Sequence, residues 1–140
     1  MPRNNFIRNK VLKSKALAQK IAKFAGDTKA QDIVILDMRE LVNFCDYFVI
    51  ATGTSDRQAK AIAEGIAEGL KKDGIEANFS RSLKALGVLQ YSQDNGAWIL
   101  LDMGDVVAHI FEPQAREFYA LEQLWQDAAK IEYKTRGKKE

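Results

Sequence analysis

The sequence predicts a single α/β domain, a mixed β-sheet packed by helices in the order α-β-β-α-β-β-β-α. Three observations carry this expectation. The apolar runs Ile33-Val34-Ile35-Leu36 and Tyr47-Phe48-Val49-Ile50-Ala51-Thr52 are too short for helices and rich in β-branched residues, so they read as strands covered on both faces. Residues 55–73 instead repeat their apolar side chains (Ala59, Ile62, Ala63, Ile66, Ala67, Leu70) at helical spacing, with Lys60, Glu64, Glu68 and Lys71 on the other side. Two further runs, Trp98–Leu101 and Asp105–Phe111, lie so close together that they predict an antiparallel hairpin. The chain has 140 residues, enough for one domain with a buried core.

The first helix is expected to start with Ser14 as its cap and to end at Gly26, with Leu17, Ile21, Phe24 and Ala25 on one stripe. A strand over 31–36 follows. A connection over 38–44 leads to a second strand over 46–52, which Gly53 terminates. The 55–73 helix has Ser55 followed three residues later by Gln58, a capping-box spacing, with Asp56 complementing the positive helix end and Gly74 in the left-handed closing position. A short strand is expected at 77–80, then a connection through Gly87 to Asn95-Gly96. After the hairpin, Pro113 opens a last helix whose apolar stripe is Phe118, Leu121, Leu124, Trp125 and Ala128.

Charge is distributed unevenly. Residues 1–26 carry seven basic side chains and no acid, and 130–140 carry five basic against two acidic. Residues 27–129 hold nine basic and seventeen acidic side chains, a net of −8 in a chain whose total is +2. The chain therefore reads as an acidic body (27–129) flanked by basic ends, with one domain over 14–129 between a basic N-terminal extension (1–13) and a basic C-terminal tail (130–140). The body suits a basic partner, and the ends suit phosphates or are plain solvated extensions. The single cysteine, Cys45, excludes an internal disulfide and fits a reducing cytoplasm. No apolar stretch approaches the ~18–20 residues of a membrane span, and no secretory signal pattern is present.

The residues offer little for catalysis. Gly53-Thr54-Ser55-Asp56-Arg57-Gln58 follows a strand and opens a helix, where backbone N–H groups can hold an anion. A lone glycine is not a Gly-rich phosphate cradle, and strand termination with helix capping explains it better. A nucleotidyltransferase would follow such an opening with alternating carboxylates for metal ions, and residues 59–77 contain no such pair. Cys45 and His109 are the only members of their types, and predict neither a nucleophile with its base nor a zinc site. No catalytic residue, metal or cofactor is expected.

The hairpin is more informative. A two-residue turn at Met103-Gly104 pairs Asp102 with Asp105, Leu100 with Val107 and Trp98 with His109. One face then displays Trp98, Leu100, Asp102, Asp105, Val107, His109 and Phe111, a mixture typical of a binding surface. Ile99, Leu101, Val106, Ala108 and Ile110 form the core side. Met103 at the apex reads as an exposed contact residue. The alternatives are that Asp102 and Asp105 bond turn amides, and that Trp98 and His109 form a buried pair at the sheet edge.

The stretches DYFVIATGTSDRQAKAIAEGI at 46–66 and WILLDMGDVVAHIFEPQAREFYALEQLW at 98–125 closely resemble the two signature blocks of the RsfS/Iojap family of ribosomal silencing factors. The likeness covers about residues 14–129. It implies a nucleotidyltransferase-like fold without catalysis. It also implies binding to the large ribosomal subunit through its ribosomal protein numbered fourteen, which blocks subunit joining and represses translation during nutrient limitation. With the hairpin reading, it makes Trp98, Met103, Asp105, His109 and Tyr119 the expected partner-binding residues, with Asp102 and Arg116 as supporting charges. A homodimer when free and ribosomal RNA contact through the basic ends are further expectations. The chain departs from the family pattern at 87–97, GVLQYSQDNGA, where an expected Glu-Gly step is missing. The competing readings are a nucleotide-using enzyme and a general RNA-binding module.

Overall fold

The structure is a computed structural model and describes residues 13–75, 88–93 and 96–133. Helix α1 (Ser14–Asp27) is followed by β1 (Gln31–Asp37), β2 (Tyr47–Thr52), α2 (Asp56–Lys72), β3 (Val88–Gln93), β4 (Gly96–Asp102) and β5 (Val106–Phe111). Two short helices, α3 (Pro113–Tyr119) and α4 (Leu121–Leu124), precede a two-residue edge strand, β6 (Ala129–Lys130). The sheet order is β3-β4-β5-β2-β1-β6. The β2/β5 pair is parallel and every other pair antiparallel, so the sheet is mixed, as expected. The parallel pair requires a long crossover, which α2 begins.

The two sheet faces are covered differently. Helices α1 and α2 pack on one of them over Ile35, Tyr47, Val49, Ala51, Ile99, Leu101, Val106, Ala108 and Ile110. Leu17, Ile21, Ile62, Ile66 and Leu70 supply the helical side of this core. At about 1.5–3 kcal/mol for each fully buried large aliphatic side chain, this is the main source of stability. The opposite face carries Leu36, Phe48, Ile50, Val107 and Phe111, and among the described residues the 38–46 connection and the chain from Pro113 onward lie against it, with no long helix.

Local chemistry explains the element ends. Ser55 caps α2 by accepting the Gln58 N–H (3.1 Å), while the Gln58 side-chain oxygen accepts from the Thr54 N–H (2.7 Å) and hydroxyl (2.8 Å). Gly74 adopts φ 69° after the helix. Gly53 has a packing reason: a Cβ there would lie 2.9 Å from the backbone N and Cα of Ala59, so only glycine lets α2 start this close to the sheet.

Several expectations are corrected. Ser14 is the first helical residue and not the cap; its hydroxyl donates to Asp46 Oδ2 at 2.7 Å. The expected strand at 77–80 lies outside the described residues, while 88–93, read as a connection, forms β3. In the hairpin, Trp98 pairs with Phe111, Leu100 with His109 and Asp102 with Val107. The apex is therefore Gly104-Asp105, flanked by a Met103 N–H to Val106 carbonyl bond of 3.0 Å. Gly104 at φ 88° explains the choice, because the turn's left-handed position falls on the one residue without a Cβ. Met103 consequently continues the 99, 101, 103 alternation into the core at 2% exposure, and is not an exposed contact at the apex. Asp102 and Asp105 no longer face each other. The last helix is two, divided by Ala120 at φ 46°. Beyond it, the Ile131 N–H bonds the Ile35 carbonyl (3.0 Å), Gln19 Nε2 bonds the Glu132 carbonyl (2.8 Å) and Tyr133 packs on the main core.

Candidate partner-binding face

The thinly covered sheet face carries a chain of aromatic rings, because period-two alternation puts Trp98 of β4, His109 and Phe111 of β5 and Phe48 of β2 on the same side. Trp98 packs with tilted rings at centroid distances of 5.1 Å from Phe111 and 4.7 Å from Tyr119 of α3. Phe48 meets His109 edge-on at 4.5 Å and Trp125 at 6.5 Å. Trp98 Nε1 donates to His109 Nδ1 at 3.2 Å. The neutral imidazole then carries its proton on Nε2, which is buried and has no hydrogen-bond partner among the described residues. Burial pushes the His109 pKa down from 6.5 to about 4. Trp98 and His109 are thus a bonded pair, with His109 buried and Trp98 half-buried.

At one end of this face sit three carboxylates. Asp102 is exposed and accepts the Gly104 N–H at 2.9 Å, so the turn-amide alternative applies to it. Asp105 keeps its side chain exposed while its carbonyl accepts the N–H groups of Asp46 (2.7 Å) and Tyr47 (3.2 Å), tying the hairpin tip to β2. Burial, and after it the negative charges of Asp46, Asp102 and Asp105, raise the thiol pKa of Cys45 to about 11. The thiol is therefore a buried, uncharged filler beneath an acidic rim.

Arg116 is not a free surface charge. Its guanidinium donates to Thr52 Oγ1 (2.7 Å) and to Glu122 Oε1 (3.0 Å), and its side chain is only 14% exposed. The structure brings Trp98, His109 and Tyr119 together, puts Asp102 and Asp105 on the adjacent rim, and removes Met103 to the opposite face. Sequence reasoning missed the largest exposed apolar groups, Phe44 at 62%, Phe118 at 60%, Leu124 at 66% and Leu41 at 39%. A phenylalanine in a connection, outside any periodic apolar pattern, is the available signal for Phe44. Phe118 and Leu124 belong to the expected apolar stripe of the last helix, which the break at Ala120 divides.

Among the described residues, no group of three or more His, Cys, Asp or Glu side chains could hold a metal ion, and no helix is long and apolar enough to cross a membrane.

The family described as "RsfS: Ribosomal silencing factor during starvation" matches residues 11–140. Ribosomal silencing factor RsfS of Bacillus subtilis is 35% identical over 117 residues, 84% of this chain and 91% of that protein. The chloroplastic protein Iojap of Zea mays is 38% identical over 117 residues, covering 84% of this chain but 46% of the longer plant protein. A crystal structure of a Bacillus halodurans protein superposes with a TM-score of 0.63 at 32% identity, covering 84% of this chain and 98% of that one. A Chromobacterium violaceum structure gives 0.65 at 28% identity, covering 87% and 92%. The relatives are named for a regulatory role and not for a catalysed reaction. With its aromatic and acidic blocks folded as one face, and a family match running nearly its whole length, this chain belongs to the RsfS family of ribosomal silencing factors.

Proposed function

We propose that this protein binds the large ribosomal subunit through the ribosomal protein numbered fourteen, and that it prevents joining of the small subunit when nutrients are short. It acts by occupancy, with no catalytic step, in the cytoplasm where subunits meet. The observation that carries the reading is the second sheet face: aromatic rings, exposed Phe44, Phe118 and Leu124, and the Asp46, Asp102 and Asp105 carboxylates at one edge. Exposed aromatics supply contact area, and clustered acids select a basic protein surface. Trp98, Tyr119, Asp102 and Asp105 are the proposed contacts, with His109 holding Trp98 from beneath. The same apolar side chains are the proposed surface of a homodimer in the free protein. The basic ends, residues 1–13 and 134–140, are proposed to meet ribosomal RNA.

The test is a subunit-joining assay with purified subunits, followed by sedimentation. The parent protein is expected to travel with free large subunits and to lower the yield of joined ribosomes. Asp105→Lys should bind less well than Asp105→Ala, since it sets like charge against a basic partner. Unchanged joining at excess protein, in an assay where another anti-association factor works, would remove the proposal.

A further inference from the structure

We propose that Arg116 is a positioning residue, whose clamp on Thr52 and Glu122 holds the chain break at Ala120 and so sets where Phe118 and Leu124 stand on the partner-binding face. The inference rests on the large-subunit reading above. Nothing in the local sequence demands a break at this point. Residues 113–128 contain no glycine, the only proline is Pro113, and Phe118, Leu121 and Trp125 have the spacing of a continuous helical stripe. Alanine has no intrinsic preference for φ 46°, so the surroundings must enforce it.

Arg116 is placed to do so. Its carbonyl accepts the Ala120 N–H at 2.9 Å, closing α3. Its Nε reaches Glu122 across the break at 3.0 Å, and its Nη1 reaches Thr52 at the end of β2 at 2.7 Å. A planar guanidinium can hold acceptors in two directions at once, which an ammonium on a single stem does poorly. The break has a definite consequence. Helix α3 sends Tyr119 onto Trp98 and leaves Phe118 outward. After Ala120 the chain restarts, setting Leu121 and Trp125 against the Phe48 cluster and leaving Leu124 outward. An unbroken helix would return Phe118 to the stripe of Leu121 and Trp125, and the two outward side chains would lose their present spacing.

Thr52 makes the test clean, because at 4% exposure it lies beyond the reach of any partner. Thr52→Val keeps its shape and removes the acceptor, Thr52→Ser restores the hydroxyl, and Arg116→Lys keeps the charge while losing the fork. Hydrogen exchange at the amides of Ala120, Gln123, Leu124 and Trp125 is read with thermal unfolding, and with association and dissociation rates on purified large subunits. For Thr52→Val and Arg116→Lys, those amides should exchange about tenfold faster in a folded protein, and affinity should fall about tenfold as the competent fraction falls. The loss should lie chiefly in the association rate, and Thr52→Ser should match the parent. Parent-like exchange and binding in both Thr52→Val and Arg116→Lys would overturn the clamp. If Thr52→Val fails to fold, Arg116→Lys, which leaves β2 untouched, decides alone. A parent protein that does not bind large subunits would defeat the underlying reading instead, while the exchange comparison would still decide whether the clamp holds the break.

Discussion

His109 shows how much one buried ring contributes to the face above it. In the unfolded chain its imidazole takes up a proton near 6.5, whereas in the folded protein burial defers this to about 4. The unfolded state therefore binds more protons between those two values, and the folded state loses stability as pH falls through that window. The whole effect is on the order of 3 kcal/mol, and above pH 6.5 it is absent. Protonation also turns Nδ1 from acceptor into donor and opposes it to the Trp98 N–H. His109→Phe is expected to flatten the decline in unfolding free energy between neutral pH and about pH 4.5, measured by urea titration. An equally steep decline in parent and variant would place the acid sensitivity elsewhere. Burial separates roles in the same way at Met103 and Phe118. Met103→Ala should cost about 2–5 kcal/mol of stability and leave the affinity of the folded molecules intact. Phe118→Ala, at a side chain 60% exposed, should barely change stability and should cost on the order of 2 kcal/mol of binding. Paired unfolding and binding titrations separate the two.

At the scale of elements, most of the sheet and both long helices were legible, because their signals are periodic and local. The apolar runs of β1 and β2 and the stripe of α2 could be read directly. The hairpin was legible in its faces but not in its apex. Moving the turn from Met103-Gly104 to Gly104-Asp105 changes every partner, yet each strand keeps its alternation, so Trp98, Leu100, His109 and Phe111 stay on one side. Met103 was the casualty, since its side depended on where the turn began. The break at Ala120 was not legible, as its cause is a long-range contact from Arg116 to Thr52, sixty-four positions away. Gly53 shows the opposite case, a local sequence feature with a tertiary reason. Its missing Cβ admits the Ala59 backbone at 2.9 Å, so Gly53→Ala must push α2 off the sheet. The expected cost is about 1–3 kcal/mol, measured as a lower urea midpoint at unchanged slope. A phosphate-binding glycine would behave otherwise: stability would survive substitution and any nucleotide affinity would be lost.

Across the whole molecule, the two signs of charge match the two kinds of partner proposed above. The body from 27 to 129 holds the net −8, while the basic side chains are concentrated toward the ends. Attraction of the acidic rim to a basic protein and of the basic ends to RNA both weaken with added salt, so a salt dependence alone cannot distinguish them. Their magnitudes can. Exposed pairs between protein charges are screened over about 8 Å at physiological ionic strength and give a shallow dependence. Each RNA phosphate neutralised by a basic side chain releases counterions and adds about 0.7–0.9 to the logarithmic salt slope. Deleting residues 134–140 removes Lys134, Arg136, Lys138 and Lys139, and deleting residues 1–10 removes Arg3, Arg8 and Lys10. Neither deletion reaches a residue of the described core, so both truncated proteins are expected to fold. If the ends lie on RNA, each truncation should lower the slope for large-subunit binding by roughly one to three, while Asp102→Asn with Asp105→Asn should lower affinity at every salt concentration with little change in slope. If the ends are solvated extensions, both truncations will leave the slope at its parent value, and the acidic rim alone will account for the electrostatics.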